Sequence, residues 1–262
     1  MTPREGAGIP PAAADNWDAH WLTYGSSAAF NPAQAFRRDL ILRLIGQAPD
    51  ASRLLDIGSG QGDLALALRG RLPRAQILGL ELSEAGIRIA SAKVPGARFL
   101  QCDLLQSVNP PSEFHRWANV AVCSEVLEHV DDPVALLRNS RVFLAPGCRV
   151  VVTVPGGPMS AFDRHIGHRR HYSPHALRDL LQEAGFRPDF AAGAGFPFFN
   201  LYRLAVILRG ARLVERAQAQ SVDRLAPSEK LILRTFQRLL RWTSAKGEWG
   251  WQIVASAHEN AG

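Results

Sequence analysis

The sequence predicts an α/β protein built on a doubly wound parallel sheet. Three observations support this fold class. Apolar runs of strand length alternate five times with segments of helical periodicity. The run at 148–154 is rich in β-branched residues, as is typical of a strand in the middle of a parallel sheet. At 262 residues, the chain is long enough for one large domain with an appendage.

The elements follow in order along the chain. Helix starts are predicted by the cap signals Asn31-Pro32, Ser83, Asp132-Pro133 and Ser173-Pro174. Short apolar runs that end in acids, turns or glycines predict the strands, at 53–57, 75–81, 97–102, 119–124, 148–154, 186–192 and 250–257.

Composition limits the compartment and the partners. The net charge of +6 is spread along the chain, which fits solvated helix faces better than a nucleic-acid-binding tail. The three cysteines lie in or beside apolar runs without a Cys-x-x-Cys pair, so we expect reduced core residues. Residues 1–14 lack the apolar core of a signal peptide, and no run has the length of a membrane span. We therefore expect a cytoplasmic protein.

The stretch at 53–63 joins a strand, a glycine turn and a helix. Gly58, Gly60 and Gly62 follow an apolar run that ends at Asp56, a pattern that brings backbone close to a ligand at the carboxyl end of a strand. The spacing differs from the Gly-x-Gly-x-x-Gly of dinucleotide sites, and Asp56 and Asp63 would repel a pyrophosphate. Because carboxylates attract an ammonium group, the pattern favours S-adenosylmethionine, which has an ammonium and a sulfonium and no phosphate.

This stretch resembles the first motif of the class I S-adenosylmethionine-dependent methyltransferases. The segment at 119–130 resembles the strand-four motif of the small-molecule type, including ubiquinone-pathway O-methyltransferases. The resemblance covers roughly residues 50–195. It implies a Rossmann-like sheet of seven strands, mostly parallel with one antiparallel strand. It also implies a tail and helical cover at 1–50 and a methyltransferase domain at 51–262, with a helical insertion at about 196–245.

The acids at the strand ends are the main candidates for cofactor binding. Glu81 can accept hydrogen bonds from ribose hydroxyls, a role shared with nicotinamide folds. Asp103 can accept a hydrogen bond from the adenine amine, although it could instead cap the following turn. The predicted cofactor-binding set is Asp56, Gly58, Gly60, Gly62, Glu81, Leu82, Asp103, Leu104, Ser124 and Glu125, together with Tyr24 of the N-terminal cover, which could instead plug the edge of the core.

Two further groups bear on the chemistry. Glu125, Glu128 and His129 could form a metal cluster, but Glu-x-x-Glu-His lacks the two-histidine spacing of a zinc helix, so we expect no metal. The loop at 155–172 starts at the ligand edge of the sheet, and a histidine there could take a proton from the acceptor. His165 and His168 are predicted as catalytic because they are nearest the strand end. In the competing interpretation, the loop histidines only hold the connection to the next helix.

The apolar run at 196–208 is too short to span a bilayer and is interrupted by Arg203. A second amphipathic helix is expected from 227 to 242. This insertion could be a lid over a hydrophobic acceptor, a dimer surface or an interfacial membrane contact, in that order of preference.

The resulting hypothesis is a methyltransferase that moves the methyl group of S-adenosylmethionine to an oxygen, nitrogen or carbon of a small, partly hydrophobic or acidic acceptor. We expect the protein to bind this acceptor and no nucleic acid, and weak membrane contact is an option. We expect a monomer or a homodimer. The alternatives are an RNA or protein methyltransferase, a nicotinamide-dependent oxidoreductase, or a non-catalytic binding protein with the same fold.

Overall fold

The sheet has seven strands in the order β3-β2-β1-β4-β5-β7-β6. The computed structural model describes residues 16–28, 31–46, 48–49, 52–209, 235–236 and 238–260, with only the backbone for 23–28 and 241. The strands are β1 (Arg53–Ile57), β2 (Gln76–Glu81), β3 (Arg98–Gln101), β4 (Ala118–Ser124), β5 (Leu144–Pro155), β6 (Phe186–Ala194) and β7 (Gln252–Glu259). Strand β7 runs antiparallel to both of its neighbours, β5 and β6, and the other described strand pairs are parallel. The predicted fold class is confirmed.

The described helices cover both faces of the sheet. They are α1 (Trp17–Ala28), α2 (Pro32–Ile45), α3 (Asp63–Arg71), α4 (Glu84–Lys93), α5 (Pro133–Ser140), α6 (Ala161–His165), α7 (Pro174–Glu183) and α8 (Phe198–Leu208). The predicted cap residues Asn31, Ser83 and Ser173 each accept a backbone N–H with the side chain. Helix α6 was not predicted. It starts with a capping box in which Ser160 and Asp163 accept each other's backbone N–H groups.

Alternation along the strands divides the core into two clusters. Leu55 and Ile57 of β1 lie in the cluster that includes the apolar residues of α5 and α7. Leu54 lies in the other cluster, with α2, α3 and α8. Phe199 of α8 is buried, and its ring centroid lies 5.0 Å from that of Phe36 on α2. The first helix of the predicted insertion is therefore part of the core.

The rest of that insertion is described only in part. The second predicted helix, at 227–242, lies largely outside the described residues, which include a 3-10 turn at Leu240–Trp242. In the described part of the chain, none of the helices combines the length and the apolar character needed to cross a membrane.

The strand order reverses beside β1, which pairs with β2 on one side and β4 on the other. In an open parallel sheet such a reversal leaves a crevice at the carboxyl ends of the strands. Helix α1 packs against α4 beside this crevice. Asp18 of α1 fixes this contact because its carboxylate accepts hydrogen bonds from the Ser83 hydroxyl at 2.5 Å and from the Ala85 N–H at 2.9 Å.

Candidate active site

A cavity of about 560 Å³ opens at the carboxyl edge of the sheet. Ten of the predicted site residues line it: Asp56, Gly58, Gly60, Glu81, Leu82, Asp103, Leu104, Ser124, Glu125 and His168. Gly62 and His165 are not among the lining residues. The side chain of Tyr24 lies outside what the structure describes. The strand-end residues therefore converge on one cavity, and of the two predicted catalytic histidines only His168 lines it.

The three glycines of the turn meet different neighbours. All three have positive φ, at +71° for Gly58, +53° for Gly60 and +79° for Gly62. A Cβ on Gly60 would lie 2.6 Å from the ring of Trp21, and one on Gly58 would lie 2.4 Å from a methyl group of Val126. Gly62 instead faces Ala90 of α4, where a Cβ would lie 2.9 Å from the alanine methyl group. Gly62 thus serves helix packing, whereas Gly58 and Gly60 shape the cavity wall.

Glu81 at the end of β2 holds this turn in place. One carboxylate oxygen accepts the Gly60 N–H at 2.6 Å, and the other accepts the Ser83 N–H at 2.9 Å. Burial raises the pKa of Glu81, although both N–H groups act in the opposite direction. Glu81 lines the cavity, so its carboxylate can accept a hydrogen bond from a hydroxyl group of a ligand there.

Asp56 at the end of β1 is buried, and its Oδ2 atom has no hydrogen-bond partner among the described residues. Burial, with a smaller contribution from the nearby Glu81 charge, raises the pKa of Asp56 to about 7. An unpartnered buried carboxyl group is costly unless a donor or a cation reaches it. This wall of the cavity is therefore suited to a cationic group.

Asp103, Ser124 and Glu125 complete the strand-end set. The Asp103 carboxylate accepts the Leu105 N–H at 2.9 Å, as expected for a residue that caps the turn. The Ser124 hydroxyl lies 2.8 Å from that of Thr153. Glu125 forms an ion pair with Arg37 of α2 at 2.9 Å, so its charge is already balanced within the chain.

Four histidine and acid side chains, Glu128, His129, His168 and His171, cluster beside the cavity, and His129 and His168 line it. Glu128 is fully buried, and neither of its carboxyl oxygens has a hydrogen-bond partner among the described residues. Its Oε1 lies 3.9 Å from Nε2 of His129 and 4.0 Å from Nε2 of His168. Nδ1 of His168 lies 3.2 Å from Nε2 of His171.

Burial sets the protonation states of this cluster. It raises the pKa of Glu128 well above its ordinary range, with a further contribution from Glu125. It lowers the pKa of His129 to about 4 and that of His168 to about 2. These shifts favour uncharged imidazoles at His129 and His168 at neutral pH, and they move Glu128 toward its neutral form.

The same side chains are the described residues that could hold a metal ion. Ligand atoms of Glu128, His129 and His168 lie within 4.8 Å of one another, as do those of Asp163, His168 and His171. The cluster considered from the sequence used Glu125, but that residue pairs with Arg37. That the protein needs no metal stays a prediction.

Several cavity residues were not predicted as site residues, and they differ in how far the sequence could have indicated them. Trp17 and Trp21 of α1 lie in the N-terminal cover predicted at 1–50, and the ring centroid of Trp17 lies 4.9 Å from that of His129. Arg37 and Arg38 of α2 follow the buried Phe36 and line the cavity, and no local pattern marks them as site residues. Arg203 interrupts the apolar run at 196–208, but no pattern in the sequence indicates its ion-pair partner Asp163, which lies 40 positions away.

Comparisons with known proteins agree with this geometry. The chain is 33% identical over 139 residues to a demethylmenaquinone methyltransferase of Thermus thermophilus, covering 51% of this chain and 60% of the relative. It is 31% identical over 140 residues to a trans-aconitate 2-methyltransferase of Methylobacterium nodulans, covering 53% of this chain and 50% of the relative. The aligned regions thus span about half to 60% of these relatives.

The solved structure of the [4+2]-cyclase SpnF superposes with a TM-score of 0.63 at 18% identity, covering 99% of this chain and 100% of the cyclase. At that identity the likeness supports the fold alone. The profile of the methyltransferase domain family matches residues 31–189, which include the glycine turn, every strand end that lines the cavity and the histidine loop. The chain therefore belongs to the methyltransferase domain family.

Proposed function

We propose that this chain transfers the methyl group of S-adenosylmethionine to a small organic acceptor. The observation that carries the proposal is that two acids, Asp56 and Glu81, both lie beside the glycine turn. Two buried acids at this turn disfavour a pyrophosphate and suit a ligand with an ammonium group. A nicotinamide dinucleotide would place its phosphates against them.

Different cavity residues would bind different parts of S-adenosylmethionine. The ammonium group would meet the unpartnered Oδ2 of Asp56, and the ribose hydroxyls would meet Glu81. The adenine would lie near Asp103, against the half-exposed Leu82 and the buried Leu104. Trp17 and Trp21 of α1 would cover this part of the cavity.

The remainder of the cavity supports an acceptor that is partly hydrophobic and carries an acidic group. Its apolar wall comes from α6, α8 and nearby residues, namely Phe162, Ile166, Tyr202, Val206 and Phe236. Nη1 of Arg38 is buried without a hydrogen-bond partner among the described residues. A carboxylate would satisfy this nitrogen.

Bound S-adenosylmethionine would supply a methyl group that is already activated by the positive charge on sulfur. The chain has to align the acceptor, exclude water and receive a proton. The helical cover and α8 close the cavity on the sides away from the sheet. Of the two histidines predicted as catalytic, His168 lines the cavity, and we propose that it contacts the acceptor. His165 is not among the lining residues and has no role in this proposal.

We further propose that the protein works in the cytoplasm as a monomer or homodimer. The three cysteines are free thiols, of which Cys123 and Cys148 are buried in the core. This state fits a reducing compartment.

Titration calorimetry tests the cofactor assignment. S-adenosylmethionine and S-adenosylhomocysteine should bind in the micromolar range, and NADH should not. Binding of NADH but of neither sulfur ligand would refute the proposal. Transfer of a labelled methyl group is then screened with phenolic acids such as 3,4-dihydroxybenzoate and with trans-aconitate. Labelling of RNA or protein in place of small acids would overturn the acceptor class.

A further inference from the structure

Helix α8 lies between the cavity and the surface of the protein. Tyr202, Ala205 and Val206 line the cavity, and their spacing places them on one side of the helix. Phe199 and Arg203, on a second side, are buried. The cavity and the core therefore account for two of the three sides of α8.

The third side of α8 is apolar and open to solvent. Leu201, Leu204 and Leu208 follow one another at intervals of three and four residues, which places them along one side of the helix. Their side chains are 52%, 43% and 78% exposed. A single exposed leucine needs no explanation, but a leucine stripe along a surface helix marks a site that contacts another apolar phase or molecule.

A loop with two exposed tryptophans lies against the start of the same helix. The Gly195 N–H donates to the carbonyl of Ser244 at 2.9 Å. The side-chain amide of Asn200 donates to the carbonyl of Trp249 at 2.8 Å. Trp242 and Trp249 are 84% and 71% exposed, so aromatic rings extend the apolar area beyond the leucine stripe. We call these exposed residues the α8 surface: Phe196, Leu201, Leu204, Leu208, Trp242 and Trp249.

The excess positive charge of the protein lies in the same part of the chain. Residues 196–249 contain ten arginine and lysine residues and four acids. The net charge of the whole chain is +6, so the rest of the chain sums to zero. Arginine occurs throughout the sequence, but its excess over the acids is confined to this segment, which corrects the even spread expected for the net charge. Arg209 at the end of α8 and Lys246 in the tryptophan loop are exposed.

An anionic lipid bilayer matches these properties better than a second copy of the chain does. Tryptophan rings favour the interface between membrane and water, and leucine side chains favour the acyl region beneath it. Basic residues beside them are attracted to anionic headgroups. A two-fold dimer through the α8 surface would instead bring the two positively charged segments together.

We propose that the α8 surface binds the interface of an anionic lipid bilayer. The leucine and tryptophan side chains enter the boundary between headgroups and acyl chains, and the basic residues stay at the level of the headgroups. The opposite side of α8 lines the acceptor half of the cavity. If the proposed methyl transfer is correct, a hydrophobic acceptor dissolved in the bilayer would lie close to the site that uses it.

Vesicle flotation tests the proposal. The wild type should float with vesicles of equal parts phosphatidylcholine and phosphatidylglycerol and far less with phosphatidylcholine alone. Added salt should weaken the binding, because it screens the attraction to the headgroups. The double variant Leu204→Gln, Leu208→Gln should bind about 10- to 100-fold more weakly. The control Leu66→Gln, at a 47% exposed leucine on α3, should bind like the wild type.

A second measurement locates the contact without the leucine variants. Brominated phosphatidylcholine in the anionic vesicles should quench the tryptophan fluorescence of the wild type. The double variant Trp242→Phe, Trp249→Phe should lose most of this quenching and keep most of its binding, because phenylalanine preserves an apolar ring. This measurement decides the location of the contact even if the leucine variant does not fold.

Three results would overturn the inference. One is a wild type that does not bind anionic vesicles, or that binds neutral ones equally well. Another is an equal loss of binding in Leu66→Gln, or quenching that persists in Trp242→Phe, Trp249→Phe. The third is a dimer in ultracentrifugation that becomes a monomer in Leu204→Gln, Leu208→Gln, with no vesicle binding by either protein, because the α8 surface would then bind a second copy. The vesicle experiments need neither S-adenosylmethionine nor an acceptor, so they are independent of the proposed methyl transfer.

Discussion

The guanidinium group of Arg203 on α8 donates two hydrogen bonds to the carboxylate of Asp163 on α6, at 3.0 and 2.8 Å, and both side chains are buried. Asp163 also accepts from the backbone N–H and the hydroxyl of Ser160. Burial alone would raise the pKa of Asp163, but Arg203 and Ser160 outweigh it and hold the pKa below its usual range. This ion pair ties the helix after β6 to the loop after β5.

We predict that Arg203→Leu lowers the free energy of unfolding by about 3–5 kcal/mol, because it leaves a buried carboxylate without its partner. Urea denaturation measures the change. The matched control is Arg98→Leu, from the exposed ion pair with Glu113, which should change stability by less than about 1 kcal/mol. The double variant Asp163→Asn, Arg203→Leu should regain part of the loss. An Arg203→Leu effect as small as the control would show that the pair does not anchor α8.

Asp56 should make the free protein less stable as pH rises. Its pKa is about 7 in the folded protein and near 3.8 in the unfolded chain. Between these values the folded state holds a proton that the unfolded state has lost, so stability falls as pH rises through this window and levels off above it. Asp56→Asn should therefore stabilise the protein by a few kcal/mol more at pH ~8 than at pH ~4, as measured by urea denaturation. An equal effect at both pH values would contradict the raised pKa.

The same raised pKa predicts proton release on cofactor binding. An ammonium group at Asp56 favours the ionised carboxylate, so binding S-adenosylhomocysteine at pH ~6 should expel a proton. Calorimetry in two buffers with different ionisation enthalpies measures the number released. The wild type should release a substantial fraction of one proton and Asp56→Asn clearly less. Equal release from both proteins would place the ammonium group elsewhere.

The cofactor half of this site could be predicted because its signals are local in the sequence. Asp56, Glu81 and Asp103 each follow an apolar strand, and the carboxyl ends of parallel strands meet at one edge. The sequence could not separate Gly62 from Gly58 and Gly60, since all three need positive φ and only the tertiary neighbours differ.

The acceptor half depends on contacts that no local pattern encodes. His165 and His168 were equivalent in the sequence, but the capping box at Ser160 winds the loop into α6, which ends at His165, and His168 follows on the cavity side. Arg37 and Glu125 are 88 positions apart and meet only because α2 crosses the strand ends. The apolar run at 196–208 was predicted first as part of a lid, and the buried Phe199 shows that α8 is also part of the core.

Glu81→Gln should weaken cofactor binding by about 1–3 kcal/mol, with little loss of fold. The amide turns one of its two acceptor atoms into a donor, which would face the N–H of either Gly60 or Ser83. The glycine turn would shift, and the ribose would lose a charged acceptor. Glu84→Gln, an exposed acid in the first turn of α4, is the control and should bind like the wild type. Unchanged affinity in Glu81→Gln would remove Glu81 from the cofactor site.

The last prediction concerns Arg38, whose Nη1 atom is buried beside the apolar wall without a hydrogen-bond partner among the described residues. If this nitrogen receives the acid group of the acceptor, Arg38→Met should raise the KM for a phenolic acid by about 10- to 100-fold, as expected for a lost charged hydrogen bond. Methionine keeps much of the apolar stem, so the cavity wall should be preserved.

The control is Arg43→Met, an exposed residue on the same helix. Two measurements then locate the anion. A raised KM with unchanged affinity for S-adenosylhomocysteine assigns Arg38 to the acceptor. A weakened affinity for S-adenosylhomocysteine assigns it instead to the carboxylate of the cofactor's amino acid portion. If neither quantity differs from that of Arg43→Met, Arg38 does not bind the acid group of the acceptor, and the proposed anion contact at this nitrogen is wrong.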